Sequence, residues 1–372
     1  MKRLLSLLLA VSLILTMFSA FAFSAEAATS TKDYEFYYSD EKKGYVVTDY
    51  TGSEMDITLP SAYKGKKVVA VQSMGYESAA KVQSIVVPKT VTTIGYAAFS
   101  DCTNLESIEL GSNVKSIHIC SFGSAYGGTK NLKSITVQED NSYYCDIDGV
   151  LFSKDGTVLS KYPASKDGKT YTVPSGVKRI GALAFVKSSK LQKIVLPRGV
   201  ITLGGQAFSG CSSLKKIVIP ASMKDLSYHT FECPKLNDIY FEGTKAQWKK
   251  LLKTYGKSPW EADTSFLNAK IHYNYVYPVD TFSLTAGSKR FTVDWSKQGG
   301  IGGYQFQYST DKKFSKGNTQ TVTIKNAKKL SKTVKKLSGK TKYYVRIRTF
   351  KKVSGKTYFS DWSAIKSVKT KA

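Results

Sequence analysis

The chain has little of what catalysis and metal binding draw on. Its three histidines, His118, His229 and His272, form no ligand cluster, and none of its five cysteines stands in a Cys-x-x-Cys pair. A metal site therefore finds no donor set in the sequence. No Gly-x-Ser-x-Gly, His-Glu-x-x-His or phosphate-binding loop occurs, which removes the chemistries that need those spacings. Hydrolysis requires an activated nucleophile or two placed carboxylates. The one acidic grouping, Asp101, Glu106 and Glu109, reads better as a solvated face. The expectation is a protein that is not an enzyme and needs no cofactor. Acids are scarce overall, 28 Asp and Glu against 55 Lys and Arg, for a formal net charge of +27.

In place of motifs the chain has a repeat. Phe185, Phe208 and Phe231 are 23 residues apart, and the same step joins Tyr76 to Phe99 and Phe99 to Phe122. The frame moves with the aromatic residue: Ile85 to Ile108, Val91 to Val114, Val177 to Val200, Leu191 to Leu214 and Ile194 to Ile217 are all steps of 23, and Ile217 to Ile239 is 22. Each unit reads Leu-x-x-Ile-x-Leu/Ile-Pro, then Val-x-x-Ile-Gly, then Ala-Phe, then Cys. A period of this size is one supersecondary unit of a solenoid, and Leu-x-x-Ile-x-Leu is the strand signature of leucine-rich repeats. One unit cannot bury its apolar face alone, whereas stacked units share a continuous core.

Ile217-Val218-Ile219-Pro220 and the run from Val177 to Phe185 resemble the BspA-type leucine-rich repeat of bacterial surface proteins. The run from Tyr240 to Trp248, followed by Ala269 to Asn274, resembles the segment that closes such solenoids. Asp148-Gly149-Val150-Leu151-Phe152 with Lys161-Tyr162-Pro163 resembles their hairpin insert. The resemblance implies an N-terminal cap at 28–58, repeats over 59–239 with the insert at 138–173, and a C-terminal cap and linker at 240–277. The tyrosine-rich run Tyr34 to Tyr38 is expected to cover the first coil. Trp248, Trp260 and a short helix from Ala246 to Leu252 are expected to cover the last.

Lys2 and Arg3 precede an apolar run, and Ala25-Glu26-Ala27 supplies small residues for cleavage. Residues 1–27 read as a secretory signal peptide, leaving no integral membrane segment after processing. An exported chain with cysteines invites a search for disulfides. Cys102, Cys211 and Cys233, however, recur just after the Ala-Phe pair, where a thiol serves as a small apolar filler. A bridge between Cys211 and Cys233 on adjacent coils stays open, subject to the strict geometry that disulfides need.

After Tyr277 the 23-residue step stops. Phe291, Val293 and Trp295, then Tyr304, Phe306 and Tyr308, then Tyr343, Val345, Ile347 and Thr349 alternate at period two, which predicts antiparallel strands with one buried face. The run Leu337 to Tyr343 resembles the fibronectin type III turn whose tyrosine hydroxyl bonds back to the backbone, and Trp295 matches that family's core tryptophan. Residues 278–372 are identified as a fibronectin type III β-sandwich, making the fold class mainly β: a leucine-rich repeat solenoid followed by a sandwich. Gln298 to Gly303 reads as a mobile loop between two strands. No Arg-Gly-Asp tripeptide is present.

This last segment holds 19 lysines and three arginines against four aspartates, a formal +18. Lys328, Lys329, Lys332, Lys335, Lys336, Arg346 and Arg348 are the candidate polyanion-binding set, for a wall polymer, an acidic polysaccharide or a glycosaminoglycan. Lysines that merely guard exposed strand edges are the competing reading. Lysine dominates over arginine, which suits a point charge rather than planar recognition. No motif for specific nucleic-acid readout occurs.

Alternation along the repeat strands sends two columns outward. Val86, Glu109, Thr136, Val195, Val218 and Tyr240 form one, and Ser84, Ser107, Ser134, Lys193, Lys216 and Asp238 the other. Val86, Glu109, Thr136, Lys193, Val195, Lys216, Val218 and Tyr240 are the candidate partner-binding face, because clustered exposed apolar residues tend to mark interaction sites. Side chains that pack on one another are the alternative. The expected function is that of a secreted or cell-surface, non-catalytic binding protein of a Gram-positive bacterium. It is adhesin-like, as the BspA resemblance implies, with an extracellular protein or polysaccharide as partner. Retention on anionic wall polymers by the basic domain, or service as a carbohydrate-binding accessory, are the alternatives.

Overall fold

The structure, a computed structural model, describes residues 30–74, 78–124, 127–227, 229–253 and 264–372. The expected leader at 1–27, Tyr76 and Trp260 lie outside the described residues. Each coil contributes two short strands, and like strands of successive coils stack into parallel sheets. On one side, Asp56–Thr58, Ser84–Val86, Ser107–Leu110 and Ser134–Val137 pair with Ile57, Ile85, Ile108 and Ile135 in register. A second block places Thr170–Thr172, Lys193–Val195, Lys216–Ile219, Asp238–Phe241 and Lys270–His272 in the same way. The Val-x-x-Ile-Gly segments build the facing sheets, such as Arg179–Ile180, Thr202–Leu203 and Asp225–Leu226.

The conserved spacing becomes a column of rings. Phe185 lies 5.1 Å from Phe208, Phe208 lies 5.4 Å from Phe231, and Phe231 lies 4.3 Å from Phe266, all stacked. The separations follow the ~4.8 Å spacing of paired strands, and each such pair is worth about 0.5–1.5 kcal/mol beyond its burial. Coils can come this close only where no side chain intervenes. A Cβ on Gly204 would lie 2.3 Å from the Ala182 nitrogen of the previous coil. Two residues before Phe99, Phe185, Phe208 and Phe231 the backbone turns through positive φ, at Ala97, Leu183, Gln206 and His229, with φ between 50° and 56°. Cys211 and Cys233 stand as thiols, each donating to the carbonyl of the phenylalanine one coil back, Phe185 at 3.1 Å and Phe208 at 3.2 Å.

Asp56–Thr58 and Lys270–His272 pair in parallel with the repeat strands at either end of the array. Within 138–173 the chain leaves the repeat pattern and then rejoins it. Tyr144–Ile147, Val150–Ser153 and Val158–Lys161 form an antiparallel meander, but Val158–Lys161 already pairs in parallel with Arg179–Ile180. Tyr162 stacks on Phe185 at 5.1 Å and opens the second column of rings. Buried Asn141 seats the insert: its amide donates to Gly111 and Val114 carbonyls, and its Oδ1 accepts from the Tyr143 and Tyr144 amides at 2.8 Å each.

Aromatic residues close the N-terminal end. Phe36, Tyr45 and Tyr63 pack together on the hairpin Tyr34–Ser39/Gly44–Tyr50, with Phe36 and Tyr63 stacked at 4.1 Å. At the other end the helix Lys245–Leu252 is held by a capping box between Thr244 and Gln247. Its buried Trp248 and Leu251 cover the last coil, with Trp248 against Phe241 and Phe266.

Beyond the linker, Phe282–Gly287, Arg290–Trp295 and Ser331–Val334 form a three-stranded antiparallel sheet. It faces a five-stranded sheet of Thr319–Ile324, Gly303–Ser309, Lys342–Val353, Lys356–Phe359 and Lys366–Lys369. Phe291, Val293, Trp295, Tyr304, Phe306, Val345 and Ile347 fill the space between. The Tyr343 hydroxyl accepts from the Ser338 amide at 3.2 Å.

Candidate functional site: an open strand face and an interdomain cleft

The outward columns run straight because the strands pair residue for residue. In the first block Ser84, Ser107 and Ser134 align, as do Val86, Glu109 and Thr136. Thr136 is exposed, and Val86 and Glu109 are half-buried. Glu109 accepts from Gln138 at 3.3 Å. In the second block Lys193, Lys216, Asp238 and Lys270 align, beside Val195, Val218, Tyr240 and His272. Lys216 is exposed, while Lys193, Val195 and Tyr240 are half-buried. Thr58, Thr172 and His272 also stand in this column, and were missed because their coils break the Leu-x-x-Ile spelling.

Val218 departs from the expectation: it is fully buried. The cause is the chain that follows the solenoid. The Asn274 and Tyr275 amides donate to the Gly243 and Phe241 carbonyls at 2.9 Å, and the Tyr277 hydroxyl reaches the Leu196 carbonyl at 2.7 Å. Residues 274–277 thus cross back over the second block, and Val276 lines the same cleft as Val218. Burial pushes the Tyr275 hydroxyl up to about 12, with the charge of Asp361 adding to the effect.

The sandwich then docks on this strap. Arg198 pairs through Nε with Glu242, lies over the Tyr277 ring at 4.6 Å, and reaches Gln298 of the sandwich at 3.3 Å. Lys351 donates to the Glu242 carbonyl at 2.8 Å, and Thr349 donates to the Tyr277 carbonyl. The glycine-rich loop expected to be mobile is therefore part of the dock: Gln298 is buried, and Gly300 lies beside Arg198 and Glu242. Between solenoid and sandwich remains a cleft of about 320 Å³.

The candidate polyanion set is divided by the sandwich. Lys328, Lys329, Lys332, Lys335 and Lys336 are exposed in and around the strand Ser331–Val334. Arg346 and Arg348 belong to the other sheet, on its outer face, and are already engaged. Each guanidinium makes two hydrogen bonds to one glutamine oxygen, Arg346 to Gln307 and Arg348 to Gln305. Trp362 stacks on both, at 4.8 and 4.2 Å, with Phe314 and Phe359 on one each. The lysines thus lie in and beside a strand of the three-stranded sheet, and the two arginines on a strand of the five-stranded sheet.

Three of the titratable side chains that the sequence singled out have charged partners. His272 Nε2 meets Asp238 at 2.7 Å, His229 meets Glu232 at 3.1 Å, and Glu106 pairs with Lys133 at 2.7 Å. Among the described residues, no three His, Cys, Asp or Glu side chains converge as a metal site. Among the same residues, no helix is long and apolar enough to cross a membrane.

Residues 65–153 and 164–251 match, in six copies, the family described as BspA type leucine rich repeat region. No curated protein matches the sequence significantly. Among solved structures, the pneumococcal vaccine antigen PcpA is 22% identical with a TM-score of 0.41, over 59% of this chain and 64% of that one. The chain thus spans less than two thirds of the pneumococcal protein. A leucine-rich repeat protein from Eubacterium ventriosum is 22% identical with a TM-score of 0.38, over 57% of this chain and 71% of that one. One from Bacteroides ovatus is 22% identical with a TM-score of 0.33, over 68% and 71%. Over the matched stretches the coiled part of this chain is similar to the BspA-type leucine-rich repeat family.

Proposed function

We propose that the protein is a secreted or cell-surface, non-catalytic binding protein, adhesin-like, that recognises an extracellular protein or glycan through the strand face of its first repeat block. One observation carries this reading. Val86, Glu109 and Thr136 stand in register on a face that, among the described residues, no segment like 274–277 crosses, whereas residues 274–277 cross the equivalent face of the second block and bury Val218. Solenoids commonly engage partners along such aligned strands. The sandwich is read as a fibronectin type III domain, on its three-on-five strand order, the Tyr343 hydroxyl bond and the buried Trp295. Residues 1–27, read from the sequence as a secretory leader, support export.

The test is a screen of the purified chain on matrix-protein and glycan arrays, followed by Glu109→Arg with Thr136→Arg. Both side chains project outward, so the expected result is loss of the array signal at an unchanged melting temperature. Undiminished binding by the double variant ends the open-face reading.

The basic sandwich favours a second role. Five exposed lysines surround a strand that pairs on one side only, a placement that suits loose attachment to an anionic wall polymer. Such attachment weakens steeply with salt, and a salt wash of cell fractions should release the protein.

A further inference from the structure

The cleft between solenoid and sandwich is not explained by a role for the first block. Its floor carries Lys193 and Lys216 on adjacent, paired strands, which places their backbones ~4.8 Å apart. The acid next in that column, Asp238, is taken by His272 at 2.7 Å. No ion pair engages either lysine among the described residues. The walls are aromatic: Tyr240 on the solenoid side, Tyr358 and Phe359 on the sandwich side. Phe359 is 41% exposed, and its ring is backed by the Arg348 guanidinium at 3.9 Å. One acid, Asp361, faces the lysines across the gap.

We propose that this cleft is a subsite for an acidic glycan, holding a hexuronate carboxylate between Lys193 and Lys216 with the sugar's apolar ring face on the aromatic wall. Two adjacent ammonium groups suit a single anionic head. At about 320 Å³ the space is of the size that holds small ligands. An acidic peptide is disfavoured by the backbone. The floor strand Lys216–Ile219 is paired on both sides, so no edge is open for strand addition. What the cleft offers is amines, phenols and ring faces, which complement hydroxyls, a carboxylate and C–H surfaces. The proposal goes beyond the open-face reading and stands without it, because the Glu109 and Thr136 substitutions leave the cleft untouched.

Calorimetric titration of the full chain with tetragalacturonic acid tests it. The acid is expected to bind, and its methyl ester to bind at least about tenfold more weakly. Lys193→Gln with Lys216→Gln should weaken binding by about tenfold, whereas Lys332→Gln with Lys335→Gln on the sandwich should change it less than about twofold. Asp361→Asn should tighten binding about threefold, a gain that misfolding cannot mimic. The proposal is overturned by absence of binding, by equal affinity for acid and ester, or by equal affinity for tetraglutamate. It is also overturned if the floor lysines prove dispensable or Asp361→Asn brings no gain.

Discussion

Lys161 is a residue whose cost can be measured. It is buried where the two blocks meet, its amine donating to the Leu183 carbonyl at 3.3 Å and lying 5.9 Å from the Phe122 ring. Burial lowers its pKa to about 8. The unfolded chain therefore holds this proton more tightly than the fold does, and stability rises with pH between about 8 and the ordinary lysine value. Lys161→Met should stabilise the protein by about 2–3 kcal/mol at pH 7. That gain should vanish as pH climbs past the ordinary lysine range, as read from denaturant melts across pH. Cys102 moves oppositely: burial pushes its thiol up to about 12, so its contribution is present at neutral pH and lost in alkali. The periodic residues were legible individually, because stacking demands the same size at the same place in every coil. Lys161 was not, since its environment comes from residues of both blocks.

Among the elements, the insert depends most on one side chain. Asn141 satisfies two carbonyls of the preceding coil and two amides of its own turn. Asn141→Ala strands buried backbone groups and should cost about 3 kcal/mol, measurable as a lowered urea midpoint. Two tyrosines inside 138–173 keep the repeat spacing. Tyr162 lies 23 residues before Phe185, and Tyr171 lies 23 before Ile194, and each occupies the stacked position that its spacing indicates. They were passed over because an aromatic residue replaces the expected phenylalanine or isoleucine while the intervening turn is irregular. The C-terminal helix was readable for the converse reason. Thr244 and Gln247 cap it locally, and Trp248 and Leu251 share its inner face.

For the whole molecule, the decisive feature is the joint between solenoid and sandwich. Arg198 touches Glu242, Tyr277 and Gln298 at once, with side chains largely withdrawn from water. Arg198→Ala leaves Glu242 without its cation, and should cost about 2–3 kcal/mol by the usual penalty for breaking a partly buried pair. Calorimetry should then resolve two transitions where the wild type gives one, and proteolysis should open near residue 278. A single unchanged transition would mean that the two domains are independent of this clamp.

The 23-residue step and the period-two runs were enough to establish two β architectures, because each is a local rule: side-chain size repeated per coil, and alternation repeated per strand. They also placed Val86, Glu109, Thr136, Lys193 and Lys216 correctly in register. Which of those columns meets solvent was decided only in three dimensions. The strap of residues 274–277 buries Val218, and the docked sandwich encloses Lys193, Lys216 and Tyr240 in a cleft. Contacts such as Tyr277 to Leu196, 81 residues apart, leave no trace in spacing, since hydrogen bonds to backbone carbonyls can be made by any sequence that brings a donor there.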